Sequence, residues 1–491
     1  MAIEPNVTTG GPVIDAGGRL VSPGFVESHI HLDKSCILDR CTSTRGDLEE
    51  AIDEAAKAKA AFTPEDVRVR ATSTLEKAIL HGANRMRTFV EIDPRAGFRS
   101  FESIKRVKAN FAWAINIEIC AFVQEGLTNE PETEVMLELA LRSGADLVGG
   151  CPYTDPEPGE HIRRIFDLAA RFDARVDFHL DFDLEPSESH LPAVIAETVR
   201  RRYQGRVSVG HVTKLSATPP EELDALTVAL SEAGVAVTAL PATDLYLNGR
   251  EYRHLIPRGV APIHRLAAQG VVATIATNNV MNPFTPFGDA SLMRMANLYA
   301  NVAQIGSPAE LGRVFGMITD MALKLMGKEH VGVKVGAPAD IVIFDASSGA
   351  DGVATIAPAI AGWKNGRRTF FRPPPQLFSH TDSSADSSLM PARSFWPRRE
   401  EGTLVRPSRH PPAVLRRVRL AVSLRPALPR EQRRIECVAT RRAQLTPPSR
   451  SMSCCASPTP KVILRLWGLR PRPKAKRLVL AKRSTPKRWM Q

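Results

Sequence analysis

Eight short β-rich runs, separated by segments of helical periodicity, most constrain the fold of this 491-residue chain. The runs cover residues 25–31, 86–92, 112–122, 147–153, 175–181, 206–211, 235–240 and 271–277. Strand and helix alternating eight times over about 250 residues is typical of a (β/α)8 barrel. An open doubly wound sheet is the alternative, but polar residues stand at the carboxyl ends of many different runs, where a barrel collects its active site. We therefore predict an α/β fold built on a TIM barrel.

The segments between the runs carry helix signals. An apolar face recurs with a period of 3.6 residues in segments 47–62, 132–143, 161–172, 191–203 and 220–233. Thr63 and Pro64 open a further helix as an N-cap residue and a proline at the first helical position. Ser307 is expected to cap a helix that runs to about Met326.

The segments that flank the barrel are expected to form a small accessory β-sheet. Residues 13–20 precede the first barrel run, and residues 331–345 contain a turn followed by a buried strand. Pairing of these two segments would bring together both ends of the barrel chain. We assign residues 1–22 and 328–375 to this accessory domain and residues 23–327 to the barrel.

The C-terminal segment, residues 376–491, differs sharply in composition from the rest of the chain. It holds 26 Lys and Arg against 6 Asp and Glu, whereas residues 1–375 hold 39 against 47. A segment rich in Arg, Pro and Ser buries too little apolar surface to offset its ordering entropy, so we predict a disordered basic tail. Three interpretations of this tail stay open: a nucleic-acid-binding arm, a solvated extension or a stretch translated out of frame. The abrupt change, without aromatic interleaving, disfavours nucleic acid as a partner.

The remaining composition points to an ordinary globular enzyme or binding protein. The seven cysteines are scattered without a CxxC pair, as expected in a reducing compartment. The first residues carry neither a basic nor an apolar signal region, and no uncharged apolar run reaches about 18 residues. We therefore expect a cytoplasmic protein without a membrane partner.

Four histidines at strand ends suggest a metal site. His29 and His31 are two residues apart at the end of the first run, so both side chains point to the same face. His179 ends the fifth run and His211 the sixth. Each histidine alone is more often a hydrogen-bonded structural residue. Together they are expected to converge on one barrel mouth and to bind a divalent metal, for which histidine is the commonest ligand.

The chain resembles the amidohydrolase superfamily, and within it the cytosine deaminase-like branch. The similarity covers about residues 13–346, and the segments that carry it include VSPGFVESHIHLDKS at 21–35, AFVQEG at 121–126, DFHLDF at 177–182, VGHVTK at 209–214 and NNVMNPFTPFGDASLMRMANLYANV at 278–302. The resemblance implies one divalent ion per chain, zinc or iron, and an accessory β-sandwich beside the barrel. It also implies a small-molecule substrate and, in many members, a homo-oligomer.

The resemblance also implies roles for individual residues. His29, His31 and His179 match the family's metal ligands. His211 matches the histidine that orients water and substrate, and Gln124 matches the side chain that recognises the substrate's carbonyl and ring nitrogen. The expected activity is hydrolysis of a non-peptide C–N bond in a small cyclic or heteroaromatic substrate. The alternative is a barrel that binds a metal and a small ligand without turnover.

Two positions depart from the family pattern, and both concern proton transfer. The strand-eight aspartate falls on Asn278, followed by Asn279, and an amide is a weaker metal ligand that does not accept a proton from water. The glutamate three residues after the strand-five histidine falls on Phe182. Three accounts stay open. Asp181 or Asp183 carries the proton, the site binds without turnover, or Asp244 supplies the carboxylate. Among the first pair we favour Asp181, which shares the face of His179 if the strand continues.

The rim of the expected mouth holds further candidates. Phe182 and Phe284 are expected either to wall a planar ring or to pack in the core. Cys151 and Tyr153 at the end of the fourth run are equally ambiguous. Asp33 and Lys34 form either a pair beside the metal or a pair at the surface.

Overall fold

The computed structural model describes residues 14–328, 333–373, 375 and 377, and the predicted basic tail lies outside them apart from Leu377. The strands are β1 Leu20–Pro23, β2 Phe25–Ile30, β3 Ala83–Glu91, β4 Asn116–Val123, β5 Leu147–Gly150, β6 Arg175–Leu180, β7 Val207–His211, β8 Val235–Ala239, β9 Ala273–Ile275, β10 Ile341–Phe344, β11 Ala359–Lys364 and β12 Arg367–Phe371. The helices are α1 Leu48–Ala60, α2 Pro64–Leu80, α3 Arg99–Asn110, α4 Pro131–Arg142, α5 Pro158–Phe172, α6 Leu191–Arg201, α7 Pro220–Ala233, α8 Pro241–Leu247, α9 Ile263–Ala268, α10 Leu292–Ala303, α11 Pro308–Met317, α12 Asp320–Leu325 and α13 Gly349–Thr355.

Strands β2 to β9 form one parallel sheet in which every strand neighbours the next along the chain. Each of the eight predicted runs contains one of these strands or most of one, so the predicted barrel is confirmed. The ring closes through Asn278, just beyond β9. The amide of Asn278 donates to the carbonyl of His29 at 2.8 Å, and the amide of His31 donates to the carbonyl of Asn278 at 2.9 Å. The first and last strands are therefore joined at the level of the predicted metal site.

The helices for which the sequence carries a signal begin at or within three residues of the predicted positions. Thr63 caps α2, and its hydroxyl oxygen accepts a hydrogen bond from the amide of Asp66 at 3.2 Å. The single helix expected after Ser307 is wrong, because α11 and α12 are separate helices. Between them the carbonyl of Ile318 accepts a bond from the amide of Val26 in β2 at 3.1 Å. The chain leaves the helical path there and bonds to the barrel strand.

A separate antiparallel sheet has the strand order β1-β10-β11-β12, as expected for an accessory sheet beside the barrel. The expectation of a strand over residues 13–20 is wrong for the described part, because the strand starts at Leu20. Gly17 and Gly18 precede it in left-handed conformations, and the amide of Gly17 donates to the carboxylate of Asp15 at 2.8 Å. This turn prevents extended pairing before Leu20. The division of the whole chain into domains remains a prediction.

The accessory sheet is joined to the barrel by aromatic packing. Phe344 in β10 is fully buried and stacks on Phe25, the first residue of β2, with ring centroids 4.6 Å apart. The two sheets therefore share one apolar core at the start of the barrel. No helix among residues 14–328 and 333–373 has the length and apolar character that a membrane span requires.

Candidate active site

A small pocket at the carboxyl ends of the barrel strands collects most of the predicted site residues. The volume open to the centre of a water molecule is about 10 Å³, room for about one water. The lining residues are His31, Lys34, Leu48, Gln124, Tyr153, His179, Phe182, His211, Thr243, Leu247, Asn278, Asn279 and Phe284. His29 lies against His179 next to this pocket, whereas Asp181 is not among the lining residues.

The four histidines form one buried cluster. The Nε2 atoms of His29 and His179 are 2.5 Å apart. Nitrogen atoms of His29, His179 and His211 all lie within 4.8 Å of one another. The ring of His31 is 5.1 Å from the ring of His179, centroid to centroid. The structure thus brings all four predicted histidines together, but the three whose nitrogens lie close enough to share one ion are His29, His179 and His211, and the expected ligand His31 is not among them.

The chemistry of this cluster fits a divalent metal ion. Burial, followed by the charges of neighbouring groups, lowers the pKa values of His29, His31 and His179 well below the usual range, so these rings are neutral at pH 7. Neutral imidazole is the form that binds metal. The Oδ1 atom of Asn278, which lines the pocket, is buried and has no hydrogen-bond partner among the described residues. Such atoms are costly to bury unless a ligand satisfies them.

His211 is oriented by a buried carboxylate. Its Nδ1 atom lies 2.7 Å from Oδ1 of Asp244, and Oδ2 of Asp244 accepts a bond from the amide of Leu240 at 3.0 Å. Burial raises the pKa of Asp244, and the neighbouring His211 opposes that rise. With Nδ1 engaged, the Nε2 atom of His211 is left for the pocket, where it lies 3.5 Å from Nδ2 of Asn278.

The role of Asp244 as the partner of His211 was not predicted. The sequence placed Asp244 at the end of the seventh run as a possible substitute for a missing carboxylate. In the structure it lies on α8, one turn beyond β8, and reaches His211 instead. The proline that begins α8 was the available signal, because it turns the chain into a helix directly after the strand.

Asn278 and Asn279 follow β9. Asn278 has a left-handed backbone with φ of 62°, and its Nδ2 atom donates to the hydroxyl of Thr243 at 3.1 Å. The Oδ1 atom of Asn279 accepts a bond from Nδ2 of Asn282 at 2.6 Å, which engages it within its own loop. Of the two asparagines, Asn278 therefore has the unpartnered oxygen.

The premise for Asp181 as a proton carrier is wrong. Strand β6 ends at Leu180, and Asp181 has a left-handed φ of 54°, so it does not continue the face of His179. Its carboxylate accepts bonds from the hydroxyl of Ser189 at 2.6 Å and from the amide of His190 at 2.9 Å. These contacts organise the loop after β6 and turn the carboxylate away from the pocket.

Lys34 is buried, so the surface-pair alternative for Asp33 and Lys34 is wrong. Both residues are at most 3% exposed. The Nζ atom of Lys34 donates to Glu91 at 2.5 Å and to Oε1 of Gln124 at 3.3 Å. The carboxylate of Asp33 accepts bonds from the amides of Lys34 at 2.9 Å and Glu91 at 3.0 Å. Asp33 thus fixes the backbone from which Lys34 reaches the pocket.

Aromatic residues wall the pocket on its outer side. Phe182 and Phe284 belong to one apolar cluster with Leu247, and each is 6% exposed. The ring of Phe182 is perpendicular to that of His211, with centroids 4.5 Å apart. Tyr153 packs beside Phe182, at 6.2 Å between centroids. The two phenylalanines therefore combine the two expected roles, because they pack in an apolar cluster and also line the pocket where they could wall a planar ring.

Cys151 does not line the pocket itself, but it contacts Gln124, which does. The Nε2 atom of Gln124 lies 3.5 Å from the sulfur of Cys151. Burial raises the pKa of the Cys151 thiol to about 12, so this residue is a protonated, inert neighbour at pH 7.

Comparison with known proteins identifies the class. The model of the amidohydrolase family matches residues 12–97 and 99–370, and this chain belongs to that family. The family is metal-dependent, and the histidine cluster is the candidate metal site. The resemblance inferred from the sequence is thereby confirmed.

Individual relatives come from several activities. The chain is 27% identical over 366 residues to N-isopropylammelide isopropyl amidohydrolase of Pseudomonas sp. strain ADP. This match covers 72% of the present chain and 87% of the relative. It is 28% identical over 336 residues to pterin deaminase of Rhizobium rhizogenes, covering 68% and 76%. The crystal structure of 5-methylcytosine deaminase from Klebsiella pneumoniae liganded with 5-fluorocytosine superposes with a TM-score of 0.73 at 26% identity, covering 76% of this chain and 91% of that one.

Proposed function

We propose that this protein is a metal-dependent hydrolase that releases an amine or ammonia from a small, planar nitrogen heterocycle. The observation that carries the proposal is the buried group of His29, His179 and His211, with His31 beside it, at a pocket in the barrel mouth. The named relatives, an amidohydrolase and two deaminases, support this reaction class.

His29, His31 and His179 would hold one divalent ion, zinc or iron, with the free oxygen of Asn278 facing it. A bound divalent ion makes water a nucleophile at neutral pH by lowering its pKa to roughly 7. Asn278 supplies an oxygen donor in the place of a carboxylate, so it adds no negative charge to the site.

His211 is proposed as the group that moves the proton. Its Nε2 atom, kept unprotonated by the Nδ1 contact with Asp244, accepts the proton from water as the oxygen adds to the ring carbon. The same Nε2–H then donates to the leaving nitrogen as the C–N bond breaks. Asp244 is a positioning residue that stabilises the transient imidazolium of His211. With His211 in this role, proton transfer does not require a carboxylate at position 182 or 278.

Gln124, Phe182 and Phe284 are proposed to position the ring. The phenylalanines offer flat apolar walls, and Gln124 offers an amide at the inner edge. The pocket has room for about one water, with about 10 Å³ open to a water centre, so a heterocycle requires these walls to separate before it enters.

The proposal is tested by metal content and amine release. The purified protein is reconstituted with zinc, iron or manganese, and release is measured from aminopyrimidines, aminotriazines and aminopterins. We expect about one metal ion per chain and release from at least one ring. His179→Gln should lose both, whereas the control His81→Gln, outside the pocket, should lose neither.

Failure takes two distinct forms. A wild-type protein that takes up no metal after reconstitution contradicts the proposed site. A protein that holds one ion per chain and binds these rings without releasing amine is the binding barrel that the sequence left as the alternative.

A further inference from the structure

Lys34 brings a positive charge into the pocket that the proposed reaction does not use. Its side chain is 4% exposed, and its Nζ atom lies 4.5 Å above the centre of the Phe284 ring. The ammonium has three N–H donors. Two are taken by Glu91 and Gln124, and the third has no hydrogen-bond partner among the described residues.

The ammonium of Lys34 is held in place by Glu91, which is itself bound by a second lysine, Lys59. Glu91 also accepts a bond from Lys59 at 2.9 Å, and Lys59 contacts Asp93 at 2.6 Å. Burial disfavours ionisation of Glu91, but Lys34 and Lys59 together hold its pKa near 2. The carboxylate is therefore ionised at pH 7 and keeps the ammonium of Lys34 fixed toward the pocket.

We propose that Lys34 selects heterocycles that carry a ring oxygen, as a carbonyl or its oxyanion, over rings that carry only amines. A ring oxygen accepts the spare N–H of Lys34. An amine at the same position presents donors to a group that is itself only a donor, which leaves both unpaired in a buried site. This inference rests on the proposed function for the nature of the ligand, and it adds the substituent that the pocket requires.

The test uses one ring in which amines are replaced stepwise by oxygens. Melamine, ammeline, ammelide and cyanuric acid share the triazine ring and carry from zero to three ring oxygens. Binding to metal-reconstituted, full-length protein is measured by calorimetry, and amine release is measured for the three rings that have an amine. Cyanuric acid has no amine to lose, so its binding reports on Lys34 independently of turnover.

We expect the wild-type protein to bind the oxygenated rings more tightly than melamine. Lys34→Met should weaken their binding and lower their kcat/KM roughly 10- to 100-fold, and leave melamine little changed. Lys34→Arg, which keeps the charge, should retain part of the preference. The control Lys57→Met removes an exposed ammonium of α1 that pairs with Glu54, so it should change neither the binding of these rings nor the ratio between them.

The ratio separates recognition from stability. Equal losses for all rings, unchanged preference in a folded Lys34→Met, or a wild-type protein that does not bind the oxygenated rings would each overturn the inference. If cyanuric acid binds in a Lys34-dependent manner but none of the aminotriazines, aminopyrimidines and aminopterins releases an amine, the inference stands and the proposed function fails.

Discussion

Asp244→Asn is the perturbation that most directly tests the proposed proton transfer. Asp244 is fully buried and uses both oxygens, one toward Nδ1 of His211 and one toward the amide of Leu240. An asparagine has only one oxygen. If that oxygen keeps the bond from Leu240, the amide nitrogen faces His211 and forces its proton onto Nε2, where the base is needed.

The opposite orientation of the asparagine is also unfavourable. Its oxygen then accepts from His211, but its nitrogen meets the amide N–H of Leu240, and a buried unpaired donor costs about 1–3 kcal/mol. Either arrangement raises the free energy of the reactive form by about that amount. Since 1.36 kcal/mol corresponds to a tenfold change in rate, we expect kcat/KM to fall roughly 5- to 150-fold.

The assay pairs amine release with metal analysis. The proposed roles require that Asp244→Asn lose activity while it keeps about one metal ion per chain. The control Asp224→Asn makes the same chemical change on an exposed residue of α7 and should match the wild type. A kcat/KM within threefold of wild type refutes the role of Asp244, and loss of metal in parallel with activity shows that His211 is a metal ligand instead.

Three further predictions address other parts of the molecule. Asn278→Asp should tighten metal binding at least tenfold in a chelator competition, because the site gains an anionic oxygen donor; unchanged affinity would exclude residue 278 from the metal. Burial, together with Glu91, raises the pKa of Glu125 to about 7, so the folded state holds this proton more tightly than the unfolded chain. Stability should therefore fall by about 1–3 kcal/mol as the pH rises from about 4.5 to 7, and urea unfolding of Glu125→Gln should lack that contribution. Phe344→Ala should lower the free energy of unfolding by about 3–5 kcal/mol in denaturant titrations, because its ring joins the accessory sheet to β2.

The sequence predicted the barrel and the membership of the pocket because both depend on strand periodicity. All eight runs contain strands of the sheet, and the pocket is lined by His31, His179, His211, Gln124, Asn278, Asn279, Phe182 and Phe284, all predicted site residues. His29 lies against His179 beside it. A strand end is one position on a regular pattern, so its location follows from the pattern.

The misjudged residues depend on local backbone direction, which periodicity does not report. Asp181 was placed on the face of His179 on the condition that β6 continued, and a left-handed residue ended it. Lys34 and Asp244 were undervalued because their partners, Glu91 and His211, are 57 and 33 residues away in the chain. Burial of a charge is decided by such distant partners, and a single sequence does not show them.

Asn278 joins the first and last barrel strands through its backbone while its side chain faces the histidines. Its left-handed conformation is one that asparagine, aspartate and glycine tolerate far better than other residues. The architecture itself therefore limits the amino acids that a lineage can sample at this position. An exchange between amide and carboxylate leaves the main chain undisturbed, so descendants of such a barrel can gain or lose a negative charge beside the metal without rebuilding the scaffold.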